Sequence, residues 1–376
     1  MSLFLPVACF GQRWEIQYFY DEVRTQLELV DVAFPSAERG VAVGSIWEQN
    51  PEKAPKPVSL ITSDGGAHWA TIPLKDVPRS IFFLNDSLGW MVGDNGIWQT
   101  EESGRTWKKI SDQKKGDRKY GSNGGMILKV WFVDPQHGFG VGDQKTALST
   151  VDGGKTWKPI EEAAKPAGNP AFTAYTQITF SNSKVGLIAG GATPPRKDAL
   201  RYPAWVAPDQ ALKQKEVPTL TITLETRDAE MWSSSTAPLY GTLSSLRLTP
   251  TQGFYVFEFE PSFQYPSEVY HLDLSTGKSA SVFRVENRRV TDAMLFDGSA
   301  AFLAAVEPPG RLSSAPIPGR VKFLTSVDMT TWKEMDVDYR AVARAIVLAG
   351  PDATHLWAVT DTGMILHLGS GAKSGK

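Results

Sequence analysis

The chain has 376 residues, and 39 Lys and Arg against 41 Asp and Glu leave a formal net charge of -2, so no global basic field exists to hold nucleic acid or an anionic membrane. Twelve Trp, 33 Gly and 25 Pro combine large rigid core residues with many turns, which fits neither disorder nor a helical bundle. A single Cys, Cys9, excludes an internal disulfide framework, a cysteine zinc site and a CxxC redox pair; five His without HExxH-type spacing predict no metal centre.

The N-terminus opens with an apolar run, residues 3–10 (LFLPVACF), followed by Gly11 and Gln12. Residues 1–11 are expected to be a signal-peptide remnant cut after Gly11, or a lipoprotein-type segment anchored through Cys9; the competing reading is a buried first strand. An exported location (periplasmic, lumenal or extracellular) is expected. The run is too short to span a bilayer, and no other approaches 18 apolar residues, so no transmembrane segment is predicted.

Four segments then share a Gly-xxx-Gly core: GVAVG from Gly40, GWMVG from Gly89, GFGVG from Gly138 and GLIAG from Gly186, at intervals of 49, 49 and 48 residues. Each follows an alternating stretch that ends in Phe34, Phe83, Phe132 or Phe180, with a short polar turn between, the pattern of two antiparallel strands. After each of the first three pairs comes Thr-x-acidic-x-Gly-x-x-Trp, with Asp64 and Trp69, Glu102 and Trp107, and Asp152 and Trp157. The carboxylate can accept backbone N–H bonds of a turn, the Gly permits positive φ, and the Trp opens the next strand and packs beneath the turn. Two versions without Gly follow, carrying Asp228 and Trp232, and Asp328 and Trp332. Weaker paired-strand copies at 243–259, 291–307 and 343–360 bring the units to seven. The last lacks a fourth strand, and RWEIQYF near the N-terminus resembles the fourth strands TWKKI and TWKPI. The predicted fold is therefore one all-β, seven-bladed propeller of four-stranded antiparallel blades over residues 12–369, its last blade completed by the N-terminal strand, with a flexible tail at 370–376. Length alone, at about 150 residues per domain, would have suggested two or three domains.

These boxes resemble those of Asp-box (BNR-repeat) β-propellers. The progression WEI, VDVAF, GVAVG, SLITSDGGAHW and its copies over 14–157 are similar to the photosystem II assembly and stability factor family. That resemblance implies a non-enzymatic scaffold that helps assemble membrane complexes, so a protein partner, a membrane-complex subunit among the candidates, is expected, with carbohydrate as a second ligand class. Asp boxes themselves report fold more than function.

Insertions at 48–57, 111–125, 192–218, 260–267 and 308–320 all fall, by strand parity, on the face opposite the Asp-box turns, where a rigid scaffold presents recognition loops. Lys114, Arg118 and Tyr120 in one, Arg196, Arg201 and Trp205 in another, and Arg320 form the expected partner-binding set, an electropositive and aromatic patch. The rival reading is a sialidase-like or other carbohydrate-active glycoside hydrolase. A sialidase site needs three clustered Arg, a Tyr and an Asp, usually with Arg-Ile-Pro, which does not occur; other glycosidases need only two carboxylates across a cleft, such as Glu258, Glu260 and Asp273, but nothing in the sequence selects these from its 41 acids. No nucleophile elbow, phosphate loop or dinucleotide fingerprint is present, so neither catalytic residues nor a cofactor are expected.

Overall fold

The computed structural model describes residues 12–50, 52–113, 125–193, 219–259, 263–298, 300–307 and 317–369. Among the described residues the strands form seven sets of four; five stand as separate four-stranded sheets, and the last two share one larger sheet. The inner strands are Thr25–Ala33, Pro78–Phe83, Ile127–Phe132, Thr173–Phe180, Thr242–Leu248, Arg289–Met294 and Ile346–Asp352. Blade 7 is completed by Arg13–Phe19, antiparallel to Met364–Gly369 with Trp14 opposite Leu368. The same strand also touches the outer strand of blade 6, Trp14 pairing with Val337. This closure leaves the ring without an open terminal edge of the kind that templates aggregation.

The Gly-xxx-Gly repeat has two distinct steric causes. A Cβ on the first Gly would meet the Phe ring of the same blade's inner strand: 2.3 Å from Phe34 at Gly40, 2.7 Å from Phe83 at Gly89, 2.5 Å from Phe132 at Gly138 and 2.5 Å from Phe180 at Gly186. The second Gly faces backbone instead in three blades, with a Cβ 2.0 Å from the Glu28 carbonyl at Gly44, 1.7 Å from Met126 at Gly142 and 1.9 Å from Ala174 at Gly190. Each Phe then fills the space between blades. Phe34 stacks on Trp357 at 3.7 Å, Phe132 on Trp90 at 3.7 Å and Phe180 on Phe139 at 5.0 Å, each partner coming from the preceding blade. On its other side each Phe takes the Asp-box Trp of its own blade edge-on: Trp69 at 5.9 Å, Trp107 at 6.1 Å, Trp157 at 6.3 Å and Trp232 at 6.1 Å. Trp157 is buried, whereas Trp69, Trp107, Trp232 and Trp332 are half-buried, so the indoles plug the blade edge rather than vanish beneath the turn.

The box turns lie between third and outer strands, as their spacing predicts, but their pivot is the leading hydroxyl. Thr62 Oγ1 donates to Asp64 Oδ1 at 2.8 Å and accepts from Gly66 N at 2.9 Å; Thr150 repeats this with Asp152 at 2.8 Å and Gly154 at 3.0 Å. Where Gly is missing the turn is one residue shorter. Thr226 then accepts from Ala229 N and Ser326 from Met329 N, and Ala229 and Met329 themselves adopt φ of 64° and 60°. Asp64, Asp152, Asp228 and Asp328 accept turn backbone N–H bonds. Glu102 departs from this expectation: its longer side chain accepts from the Thr106 hydroxyl at 2.7 Å.

These bonds set the acid behaviour of the fold. The His68 backbone N–H, with the His68 ring and Thr62, holds Asp64 down to about 2. At Asp152 slight burial works upward, but the Thr156 hydroxyl and N–H outweigh it and bring the carboxyl to about 2. A folded-state value below the unfolded one, near 3.9, contributes stability that is present above about pH 4 and is lost as pH falls toward 2. Asp152→Asn is therefore expected to melt below the wild type at neutral pH, with the gap narrowing between about pH 4 and pH 2; a gap that stays constant across an acid melting series would refute the assignment.

Candidate functional site

The inner strands do more than face the axis. In blades 1 to 6 each carries a β-bulge: the register shifts between Leu29 and Asp31, Pro78 and Ser80, Ile127 and Lys129, Tyr175 and Gln177, Leu243 and Ser245, and Val290 and Asp292. A bulge inserts one residue and re-aims the next side chain. The residue after every bulge is polar, and each bonds across to the following blade. Asp31 Oδ2 accepts from Ile81 N at 2.9 Å, and Ser80 Oγ donates to the Leu128 carbonyl at 2.9 Å. Lys129 Nζ donates to Gln177 Oε1 at 3.2 Å, and Gln177 Nε2 to the Ser244 carbonyl at 2.7 Å. Ser245 bonds Asp292, which accepts from Leu348 N at 2.8 Å. The result is a polar belt running from blade 1 to blade 7. The remaining junction, blade 7 to blade 1, is held by the Phe34–Trp357 stack and by Gln17 Nε2 donating to the Gly65 carbonyl at 3.4 Å.

The belt surrounds an axial cavity of about 420 Å³ lined by Asp31, Lys129, Gln177, Ser245 and Asp292 and by Arg79, Arg247, Phe82 and Trp131. Arg79 pairs with Asp94 at 2.7 Å and Arg247 with Asp292 at 2.7 Å. Burial raises the Asp31 carboxyl above its ordinary value and lowers the Lys129 amine, each only partly offset by the charges around it. For Arg247 burial pulls downward, but the Asp292 carboxylate outweighs it and the guanidinium stays charged.

A second cavity of about 340 Å³ meets the first at Ser244 and is lined by Thr193, Thr219, Tyr240, Glu258 and Phe263. Burial raises the Glu258 carboxyl although Arg289 stands 3.8 Å away. Glu258 does not meet Asp273. The two sit on neighbouring strands at opposite ends, Glu258 facing Ser267 and Asp273 facing Gln252 six residues away, a separation of roughly 20 Å at about 3.3 Å per residue. Glycosidase carboxylates lie about 5 to 9.5 Å apart, so this pair is not one. Glu260 lies outside the described residues.

Of the expected partner-binding residues, Lys114, Arg118, Tyr120, Arg196, Arg201 and Trp205 also lie outside the described residues. Arg320 is described and exposed, but it is the second residue of the strand Gly319–Ser326, opposite Val342, and not part of a loop. Similarly, 48–57 is less open than its composition suggests: Glu48 ends a strand and holds Lys53 at 2.5 Å and Lys56 at 2.8 Å. The parity argument itself holds for the connections. At the Asp-box end none exceeds seven residues, while the opposite end carries those at 113–126, 193–219, 259–266 and 307–318. Exposed Phe19, Val23, Trp47, Phe172, Ile317 and Tyr339 lie at that same end. Among the described residues no group of three or more His, Cys, Asp and Glu could hold a metal, and no helix is long and apolar enough to cross a membrane.

A family model described as photosynthesis system II assembly factor YCF48 matches residues 119–242, a third of the chain that overlaps the best-formed boxes only in part. No curated protein matches. Among solved structures, "YCF48 bound to D1 peptide" shares 16% identity over 94% of this chain and 96% of that one, with a TM-score of 0.57. YCF48 from Cyanidioschyzon merolae shares 13% over 95% and 98%, with a TM-score of 0.58. The GH74 xyloglucanase from Xanthomonas campestris shares 11% over 93% of this chain but only 59% of its own, with a TM-score of 0.51. At such identities the likeness is one of fold. These structures show an Asp-box β-propeller, and the family model makes its middle third similar to YCF48.

Proposed function

We propose that this chain is a non-catalytic binding and assembly propeller that captures an extended segment of a protein partner, a subunit of a membrane complex, on its long-connection face. The observation that carries the reading is the asymmetry of the ring: every connection at the Asp-box end is a tight turn, and all the long ones, with Arg320 and exposed Trp47 and Phe172, gather at the other. A relative of the same fold is described in complex with a peptide of D1, which supports a peptide-like ligand. Fluorescence anisotropy with a labelled D1 peptide tests this directly. Saturable binding is expected, weakened about tenfold by Arg320→Glu through loss of a charge-assisted contact. Val151→Glu, at an exposed position on the Asp-box end, is expected to leave it unchanged. No binding, or the reverse pattern between the two variants, would overturn the proposal.

We also propose that the protein is exported, supported by the apolar run at 3–10 ahead of small Gly11. Cell fractionation with mass measurement of the mature N-terminus tests it; a cytosolic chain that retains residues 1–11 counts against it.

A further inference from the structure

The axial cavity is lined by two cationic groups whose hydrogen-bonding capacity the described residues use only in part. An ammonium has three donors, and Lys129 stands half-buried on the cavity wall. Lys129 Nζ makes a single hydrogen bond among the described residues, to Gln177 Oε1 at 3.2 Å. No carboxylate pairs with it; Asp31 and Asp292 act on it only through space. Both acids already accept other donors. Asp31 is tied to Val32 N at 2.9 Å and Ile81 N at 2.9 Å, and Asp292 to Ala293 N at 2.9 Å, Leu348 N at 2.8 Å and Arg247 at 2.7 Å. Arg247 spends Nε on the Ala293 carbonyl and Nη2 on Asp292 and the Leu348 carbonyl, and its Nη1 makes no hydrogen bond among the described residues. Two cationic groups thus offer unused N–H donors to one cavity, whose volume of about 420 Å³ falls within the roughly 300–1,000 Å³ of small-molecule sites. The same cavity has an apolar wall in half-buried Phe82 and Trp131, whose rings lie 4.9 Å apart.

We propose that the axial cavity is a binding site for a monocarboxylate with a flat apolar body, its carboxylate taken by Lys129 with Arg247 in support and its body lying against Phe82 and Trp131. Charge-assisted hydrogen bonds to a carboxylate would satisfy the donors that the fold leaves open. Seven inner strands fix the walls, so the site is preformed. The proposal does not rest on the long-connection face, and the failure of peptide capture there would leave it standing.

Calorimetric titration of the full chain with benzoate, and with neutral benzamide as control, tests the site. Benzoate is expected to bind saturably and benzamide at least about tenfold more weakly, since each tenfold is about 1.4 kcal/mol, the scale of one hydrogen bond to a charged group. Lys129→Met should lose benzoate binding while keeping its melting temperature, because it removes a half-buried amine with a single partner among the described residues. Lys129→Arg keeps the cation and should retain binding, which guards against a folding artefact. A parallel titration with a short peptide ending in Phe, as free acid and as C-terminal amide, separates the two sources of such a carboxylate: binding of benzoate alone points to a free small molecule, binding of the peptide acid alone to a chain terminus. A cavity that takes neither acid holds water only, and Lys129→Met binding benzoate as well as the wild type does would equally sink the proposal.

Discussion

Trp14→Ala is expected to destabilise the protein by about 3–5 kcal/mol, the cost of emptying a large buried aromatic site, or roughly 5 °C in midpoint for a chain of this length. Trp14 is fully buried and stacks on Phe323 at 3.9 Å with an interplanar angle of 15°. Its strand completes blade 7 and touches the outer strand of blade 6, so the cavity would open at the one seam where the two ends of the chain meet. Such a lesion should also loosen the seam itself. Hydrogen exchange is therefore expected to rise first in Arg13–Phe19 and Met364–Gly369. The companion variant Trp14→Phe separates packing from polarity: Nε1 of Trp14 is buried without a hydrogen-bond partner, so Phe keeps the stack and removes an unsatisfied donor. It is expected to stay within about 1 kcal/mol of the wild type. Equal losses for both variants in denaturant unfolding would show that the full volume of the indole, not a ring stack that Phe can keep, holds the seam.

The ring was legible because its signals are local and repeat. A Phe, a turn and two Gly four residues apart recur at nearly constant spacing, and each has a steric cause: the first Gly makes room for the Phe, and the second for backbone in three blades and for the Asp76 side chain in blade 2. Closure was legible for the opposite reason, since the last unit is one strand short and only the N-terminal strand could supply it. Less visible was the work of Thr62, Thr100, Thr150, Thr226 and Ser326. Each stands at the head of its box, yet the hydrogen bond that makes it the pivot depends on a turn whose length changes when Gly is missing.

The axial belt escaped sequence reading although its residues lay within stretches already recognised as strands. Asp31, Ser80, Lys129 and Gln177 each stand three residues before the Phe, where simple alternation offers no reason for an acid, a hydroxyl, a base and an amide to be equivalent. Only the bulge makes them so, by re-aiming the following residue toward the next blade, and a bulge leaves little trace in composition. The usable signal was positional: a polar residue at a fixed distance before a repeated aromatic. Arg320 shows the converse error, since a Pro- and Gly-rich neighbourhood suggested a loop where a strand had already begun.

Gly142→Ala is expected to cost about 3 kcal/mol or more, above the usual range for an added methyl group in a packed core. Its Cβ would stand 1.7 Å from the Met126 carbonyl oxygen and 2.8 Å from the Met126 carbonyl carbon, so the obstruction is main chain. No rotamer change can relieve it. The carbonyl belongs to the residue before Ile127, whose pairing with Gly142 precedes the bulge that places Lys129 in the belt. Relief therefore requires the inner strand of blade 3 to move, and the Lys129–Gln177 bond should loosen with it. Gly138→Ala makes the informative comparison, because its Cβ would meet the Phe132 ring at 2.5 Å, a side chain that can shift at the expense of its stack on Trp90. Both variants should melt early in thermal unfolding, but only Gly142→Ala should impair binding at the axial cavity once folded. If Gly138→Ala proves the more damaging of the two for that binding, the link between the second Gly and the bulge is wrong, and the belt is held in register by the aromatic stack instead.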